Sequence, residues 1–247
     1  MTGGSMRGYA AAVIVAAGKG ERFGHGGKVL AETGGRPLIA WSLDALQNAM
    51  SVRDVVIVYG PHTETDLRHL IVAGPWTNVT ALVAGGSNRQ ESVANGIAEI
   101  AGDLKIVLIH DAARPLVDAA QFDACAEQAL LHGGAILAAP VTDTLKLVED
   151  GIIAGTVSRT GLWAAQTPQA FRLAEYREAI AAIRGREHEF TDDASIFEAS
   201  GGMVSIVPGV RANIKVTHFE DLILVDLLLR AHEAAETSQG QAGGTGA

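Results

Sequence analysis

Short apolar runs alternate with amphipathic stretches along almost the whole chain. The strands predicted from the apolar runs are Ala12–Ala16, Val55–Tyr59, Thr80–Val83, Ile106–His110, Ala135–Pro140 and Met203–Val207. Helical spacing follows between them, for example from Arg89 to Ile100 and, near the end, from Glu220 to Ala234. This repeated order predicts an α/β fold with a doubly wound, mostly parallel sheet and helices on both faces.

One segment, residues 143–160, departs from this order. Leu145 and Leu147 alternate with polar residues, Asp150-Gly151 favours a type I′ turn, and Ile152 begins a return strand. The pattern predicts a β-hairpin arm inserted into the α/β chain. Because a lone two-stranded hairpin is only marginally stable in water, we expect the arm to pack on a second subunit.

Composition and charge fit a single domain, which we expect to span residues 9–234, with disordered glycine-rich ends at 1–8 and 235–247. The 48% hydrophobic content suits strands buried on both faces, and no apolar run approaches the roughly 20 residues of a membrane span. A single cysteine, Cys125, excludes an internal disulfide and suits the cytoplasm. The net charge of −9 argues against general nucleic-acid binding.

The first strand continues into a glycine-rich loop, VIVAAGKGERFGHGGK, which ends at Lys28. Gly18 and Gly20 match the dinucleotide-binding fingerprint of a dehydrogenase, but Phe23 replaces its third glycine, where the helix must pack closely on the strand. An ATP-binding P-loop is disfavoured as well, because Lys28 is followed by Val29 rather than Ser or Thr. A loop that holds the phosphates of another nucleotide remains.

The charges in and near this loop indicate what it holds. Arg22 and Lys28 add two cations to glycine amides that can approach phosphate closely, which suits a triphosphate. Asp111 follows the strand Ile106–His110, at the edge where open α/β sheets bind ligands. It is a candidate Mg²⁺ ligand or a helix N-cap, and both roles are compatible. His110 itself fits a buried, hydrogen-bonded core position.

Three further segments carry candidate chemistry and also admit plain structural roles. GGSNRQES, ending at Ser92, either reads a base edge or caps a helix. Thr191 precedes Asp192 and Asp193 in a pattern typical of a helix start. Lys215 is either a third cation of the site or a surface lysine.

The motifs AAGKGER, GGSNRQES, HDAARP, PVTDTLK, QTPQAF, TDDAS and NIKVT occur together and in this order. The set resembles the methylerythritol phosphate cytidylyltransferases of isoprenoid synthesis, over about residues 10–229. The resemblance implies a Rossmann-like nucleotidyltransferase, dependent on Mg²⁺, that transfers CMP from CTP to 2-C-methyl-D-erythritol 4-phosphate and releases pyrophosphate. It also implies a homodimer in which each arm reaches the neighbour's site.

The resemblance assigns roles to individual residues. Those implied to bind the nucleotide are Ala16, Ala17, Gly18, Gly20, Gly86, Ser87, Ser92 and Ala112, with Arg22, Lys28 and Lys215 as catalytic cations and Asp111 as the Mg²⁺ ligand. Those implied to bind the sugar-alcohol phosphate are Arg114, Thr144, Arg159, Thr167 and Thr191. Thr144 and Arg159 would reach the site from the partner's arm.

The chain departs from the family pattern at a few positions. Val15 and Gly27 stand where proline is usual, Val29 replaces glutamine, and Ser87 replaces a common acidic residue. Two alternatives stay open: a cytidylyltransferase for another sugar-alcohol phosphate, such as ribitol 5-phosphate, and a CTP-binding domain without catalysis. The second is disfavoured because the metal-binding aspartate and the cations are all retained.

Overall fold

The computed structural model describes residues 8–18 and 27–242 of the chain. The strands are β1 (Ala10–Ala16), β2 (Glu32–Thr33), β3 (Arg36–Pro37), β4 (Val52–Tyr59), β5 (Val79–Ala84), β6 (Ile106–Asp111), β7 (Gly134–Pro140), β8 (Leu145–Glu149), β9 (Ile152–Val157), β10 (Trp163–Arg172) and β11 (Val204–Pro208). The helices are α1 (Leu38–Asn48), α2 (Glu64–Ala73), α3 (Arg89–Ala98), α4 (Ala119–His132), α5 (Leu173–Ala182), α6 (Asp193–Ala199) and α7 (Phe219–Ala242), with short 3₁₀ turns at Lys28–Leu30 and Glu187–Glu189.

Seven strands form one sheet in the order β11-β7-β10-β6-β1-β4-β5. All neighbours are parallel except β10, which runs antiparallel to both β6 and β7. The chain moves outward from β1 through β4 to β5, then returns to place β6 on the other side of β1. The order therefore reverses between β1 and β6, and ligands of open α/β sheets bind beside such a reversal.

Successive residues of β1 point to opposite faces of the sheet, and each face has its own apolar core. Ala12 and Ile14 belong to the core under α1, α2 and α4, whereas Ala11 and Val13 belong to the core under α3, α5 and α6. All four side chains are fully buried. This arrangement confirms the predicted doubly wound, mostly parallel sheet with helices on both faces. Because helices cover both faces, a ligand site can form only at the ends of the strands.

The residue pattern missed the central strand β10, because Pro168 lies inside it. Proline donates no backbone hydrogen bond and ordinarily argues against an inner strand. The structure accommodates Pro168 by interrupting the pairing: β10 pairs with β7 up to Ala165 and resumes at Gln169. The interruption places Gln166 and Thr167 beside the end of β6.

The predicted ends of the domain differ from the structure. Helix α7 continues to Ala242, so residues 235–242, expected to be disordered, are helical. The reason is local, because this stretch contains no proline and Gly240 is its first glycine. Gly8 is hydrogen-bonded to the carbonyl of Met50, and residues 1–7 and 243–247 lie outside the described residues. None of the described helices combines the length and the hydrophobicity of a membrane span.

The arm is a separate two-stranded sheet formed by β8 and β9. Asp150 and Gly151 both have positive φ, 48° and 79°, as a type I′ turn requires. The predicted hairpin is therefore present. Its apolar side chains face solvent in the single chain: Ile152 and Ile153 are 73% and 61% exposed.

Candidate active site

A cavity of about 610 Å³ opens at the carboxyl edge of β1, β5 and β6, beside the reversal of strand order. The predicted residues that line it are Ala16, Ala17, Gly18, Lys28, Gly86, Ser87, Ser92, Asp111 and Lys215. Val15, Val29, Asn88, Arg89, Ala113 and Thr217 also line it. Segments that are distant in the sequence thus meet at one edge, as parallel strand order requires.

The glycine loop is described only at its two ends. Ala16, Ala17 and Gly18 leave β1 along the cavity, whereas Gly20 and Arg22 lie outside the described residues and stay predictions.

Lys28 lies in the 3₁₀ turn that follows the loop. Val29 is buried and packs this turn against the core. A Cβ atom at Gly27 would collide with the methyl group of Thr63, which explains why glycine stands there. The departures around Lys28 therefore come with local packing that holds the lysine at the cavity.

Asp111 is the electrostatic centre of the cavity. Its Oδ2 lies 2.7 Å from Nζ of Lys215 and 3.9 Å from Nε of Arg114, and its Oδ1 lies 3.5 Å from Nη2 of Arg89. Burial alone would raise the pKa of this carboxyl, but the three cations outweigh burial and hold its pKa well below the usual range. Asp111 is therefore a carboxylate at any physiological pH.

Behind Asp111, His110 is fully buried and organises its neighbours. Its Nε2 lies 3.2 Å from the carbonyl oxygen of Arg114 and 3.2 Å from Oγ of Ser42, and its Nδ1 lies 3.0 Å from Oγ1 of Thr167. Because a carbonyl only accepts, Nε2 carries the proton and Nδ1 accepts from the Thr167 hydroxyl. Burial lowers the pKa of His110 to about 4, which keeps the ring neutral. The expected core role of this histidine fits these contacts.

Thr167 is thereby fixed on two sides. Its Oγ1 accepts the backbone N–H of Asp111 at 3.1 Å while its proton is directed at His110. Its hydroxyl consequently meets a ligand as an acceptor unless the histidine contact is exchanged.

The turn that opens α3 uses its own donors internally. The amide of Gly86 donates to Oγ of Ser92, whose hydroxyl donates to the carbonyl of Asn88. Both the amide and the hydroxyl of Ser87 donate to Glu91, at 2.8 Å each. The capping role is therefore present, with Asn88 accepting from the Glu91 amide, and the donors of Gly86, Ser87 and Ser92 are already used within the turn.

The residues predicted for the sugar-alcohol phosphate fall into two groups. Arg114 and Thr167 lie beside Asp111, and Thr191 immediately precedes the capping residue of α6. Thr144 and Arg159 lie in the exposed base of the arm, where Arg159 donates to the carbonyl of Thr142. Neither arm residue is among the described residues that line the cavity of its own chain.

Ala112, predicted near the ribose, has a fully buried side chain that packs in the core beneath the sheet. Its neighbour Ala113 lines the cavity instead. Ala112 has no exposed surface in its backbone either, and its amide donates to the carbonyl of Val15, so its contact with the ribose stays a prediction.

Sequence reasoning missed Arg89 and Asp193 as parts of the site. Nη2 of Arg89 lies 2.7 Å from Oδ2 of Asp193, which is completely buried, as well as facing Asp111. The sequence did contain a signal for Arg89. It is the first residue of α3, where a cation is unfavourable because the helix dipole is positive at that end.

The donors present fit a magnesium ion. Among the described residues no three His, Cys, Asp or Glu side chains gather into a metal cage, and Asp111 is the ionised carboxylate of the cavity. Mg²⁺ typically binds through one or two carboxylates together with substrate phosphates. Asp111 is the one carboxylate among the described residues that line the cavity, which matches that habit.

Comparison with known proteins identifies the family. The family model for 2-C-methyl-D-erythritol 4-phosphate cytidylyltransferase matches residues 10–231. The chain belongs to this family. The protein of that name from Synechococcus sp. (strain WH7803) is 43% identical over 223 residues, which cover 88% of this chain and 97% of the relative. The one from Bacillus licheniformis is 39% identical over 225 residues, which cover 91% and 97%.

Solved structures of the family share the fold. The cytidylyltransferase of this name from Thermus thermophilus is 32% identical with a TM-score of 0.73, covering 88% of this chain and 98% of that one. The 4-diphosphocytidyl-2C-methyl-D-erythritol synthase from Anaerococcus prevotii is 26% identical with a TM-score of 0.78, covering 90% and 99%. The resemblance inferred from the seven motifs is thereby confirmed, and so is the fold it implied.

Proposed function

We propose that this protein transfers the cytidylyl group of CTP to 2-C-methyl-D-erythritol 4-phosphate and releases pyrophosphate. One observation carries the assignment of the site: Asp111 is held as an anion among Lys215, Arg114 and Arg89 at the strand edge that also holds the ends of the glycine loop. Such a group of fixed charges suits chemistry in which phosphate charge is redistributed.

In this mechanism an oxygen of the substrate phosphate attacks the α-phosphorus of CTP in line with the departing pyrophosphate. Both reactants are anions, so the chain must chiefly offset their repulsion. One cation about 4 Å from a phosphate charge contributes about 4 kcal/mol in raw Coulomb energy at an effective dielectric constant near 20. Lys28 and Arg22 would hold the triphosphate and Lys215 the α-phosphate. No protein nucleophile is required, because a phosphate monoester is already mostly dianionic at neutral pH.

Asp111 would hold the Mg²⁺ ion, which when bound neutralises phosphate charge. Lys215 contacts the same carboxylate oxygen at 2.7 Å. Its side chain is 40% exposed, so it has room to turn from Asp111 toward a bound phosphate. The carboxylate is then available to the ion while the lysine is available to the nucleotide.

The site is proposed to be completed by a second copy of the chain. The arm exposes Leu147, Val148, Ile152 and Ile153, and exposed apolar patches commonly mark sites of protein–protein contact. Exchange of arms in a homodimer would bury these side chains. It would also bring Thr144 and Arg159 to the neighbour's sugar-alcohol phosphate.

A coupled assay for pyrophosphate tests the function directly. The purified protein is given CTP with either 2-C-methyl-D-erythritol 4-phosphate or ribitol 5-phosphate, with Mg²⁺ and with EDTA. We expect pyrophosphate release with the methylerythritol substrate that depends on added Mg²⁺, and a far lower kcat/KM with ribitol 5-phosphate. Binding of CTP without pyrophosphate release from either acceptor would refute the proposal, and preference for ribitol 5-phosphate would refute the assigned acceptor.

A further inference from the structure

Arg89 lines the cavity and joins three elements, α3, β6 and α6. It begins α3, directly after the turn at Gly86 and Ser87, and its Nη2 lies between Asp111 at the end of β6 and Asp193 at the start of α6. The distances are 3.5 Å to Oδ1 of Asp111 and 2.7 Å to Oδ2 of Asp193. Both contacts are ion pairs rather than hydrogen bonds, because Oδ2 of Asp193 has no hydrogen-bond partner among the described residues, and one guanidinium nitrogen lies between the two carboxylates.

The far end of this bridge is rigid. Asp193 has no exposed side-chain surface, and its Oδ1 accepts the hydroxyl of Tyr176 at 2.8 Å. Tyr176 is itself fully buried and stacks on Phe171, with ring centroids 4.6 Å apart and an interplanar angle of 13°. Asp193 is therefore positioned by contacts that do not involve Arg89.

Two properties of Arg89 point to a role in the site rather than in stability. A cation at the first position of a helix is unfavourable, because the helix dipole is positive there. In addition, Nη1 of Arg89 is buried and has no hydrogen-bond partner within the described part of the chain. Local rules broken at a cavity-lining residue are typical of functional positions.

The two carboxylate oxygens of Asp111 have different cationic neighbours. Arg89 approaches Oδ1, whereas Lys215 and Arg114 approach Oδ2. Lys215 is 40% exposed and can leave, but the side chain of Arg89 is held by the buried Asp193. The contacts that persist when Lys215 turns away are therefore those with Arg89 and Arg114, and of these two only Arg89 is near Oδ1.

We propose that Arg89 is a positioning residue, held by Asp193 and Tyr176, that fixes the carboxylate of Asp111 in the orientation in which it binds the metal ion. The inference rests on the proposed function, because it takes Asp111 as the metal-binding residue. Partners of a metal-ligating carboxylate commonly change metal affinity by about 10- to 100-fold when they are replaced.

The test measures Mn²⁺ binding by electron paramagnetic resonance in the presence of CTP and without sugar-alcohol phosphate, so that no turnover occurs. The decisive variant is the double substitution Arg89→Met with Asp193→Asn, which removes both charges of the pair together and so leaves no unpaired charge at the buried position 193. Two milder variants, Arg89→Lys and Tyr176→Phe, report on the same bridge. Arg68→Met is the matched control, because Arg68 pairs with Glu64 on the exposed face of α2.

We expect the double variant and Arg89→Lys to bind Mn²⁺ about 10- to 100-fold more weakly, and Tyr176→Phe to show a smaller loss in the same direction. In steady-state assays the variants should need more Mg²⁺ for half-maximal rate, while the control should match the wild type. Wild-type Mn²⁺ affinity in the double variant, or in Arg89→Lys if the double variant does not fold, would overturn the inference.

Asp111→Asn separates this inference from the function on which it rests. Mn²⁺ bound as tightly by Asp111→Asn as by the wild type would refute the metal role of Asp111 and the positioning role of Arg89 together. Pyrophosphate release by the wild type would still support the proposed function in that case. Absence of release by the wild type would refute the function itself.

Discussion

Burial of His110 predicts how the free energy of unfolding changes with pH. The folded protein holds this ring neutral, with its pKa lowered by burial from 6.5 to about 4. Between about pH 4 and pH 6.5, His110 is therefore protonated in the unfolded chain and neutral in the folded protein. Stability must fall as the pH decreases from about 6.5, and this group contributes no further loss below about pH 4.

The size of the effect follows from the same two values. A difference of about 2.5 pKa units corresponds to about 3 kcal/mol of unfolding free energy once the full window is crossed, and to about 2 kcal/mol at pH 5. The side chain is completely buried, so solvent screening does not reduce the figure. For a domain of ordinary stability this is a substantial fraction of the total.

Urea unfolding at a series of pH values, for the wild type and for His110→Gln, measures the effect. The glutamine cannot take up the proton, so the difference between the two curves isolates His110 from the carboxylates that titrate in both proteins. We expect the wild type to lose about 2 kcal/mol more than the variant between pH 7.5 and pH 5. His69→Gln is the control, because His69 is exposed on α2 in the folded state. Parallel curves for the wild type and His110→Gln would refute the reasoning.

Three further changes test the site, the base-reading turn and the arm. Lys215→Ala should lower turnover by at least about 100-fold while the melting temperature stays within a few degrees, and near-wild-type turnover would contradict the assignment. Glu91→Leu should remove the acceptor of the Ser87 hydroxyl, free that hydroxyl to donate to a base and reduce the kcat/KM preference for CTP over UTP by about tenfold, whereas an unchanged ratio would remove Glu91 from base selection. Ile153→Lys should shift the sedimentation coefficient toward that of a monomer, and Val72→Lys, at a still more exposed site on α2, should not; a dimer in both would show that the arm is not the interface.

Most of the sheet was predictable because each inner strand is a short run of small or β-branched residues bounded by polar turns. The hairpin was equally clear, since Asp150-Gly151 specifies its turn from local sequence alone. Strand β10 was not predicted because Pro168 is unfavourable inside an inner strand. The segment is a strand because it pairs with β6 and β7, which are distant in the sequence. The local sequence indicates only the intrinsic conformational preference of a segment, and in β10 tertiary strand pairing outweighs that preference.

The candidate site was predictable where a residue's chemistry follows from its own motif. Asp111 and Lys215 lie in separate motifs, yet both could be assigned because the family carries them in a fixed order. Arg89 and Asp193 were missed because their relation exists only across two helices that are remote in sequence. The hydrogen bonds that Ser87 donates could not be predicted, because they depend on the side-chain conformation of Glu91 on α3.

The reversed direction of β10 has a consequence for how this chain can change over evolutionary time. Because β10 pairs antiparallel with β7, from Trp163 opposite Pro140, the two strands form a wide hairpin whose tip lies at the carboxyl end of β7. The arm is an extension of that tip, so residues can be inserted or lost in it without altering the register of the sheet. The tip also lies at the edge that carries Asp111. Changes in the arm therefore leave the register beneath Asp111 intact and reach the site only through Thr144, Arg159 and the proposed subunit contact.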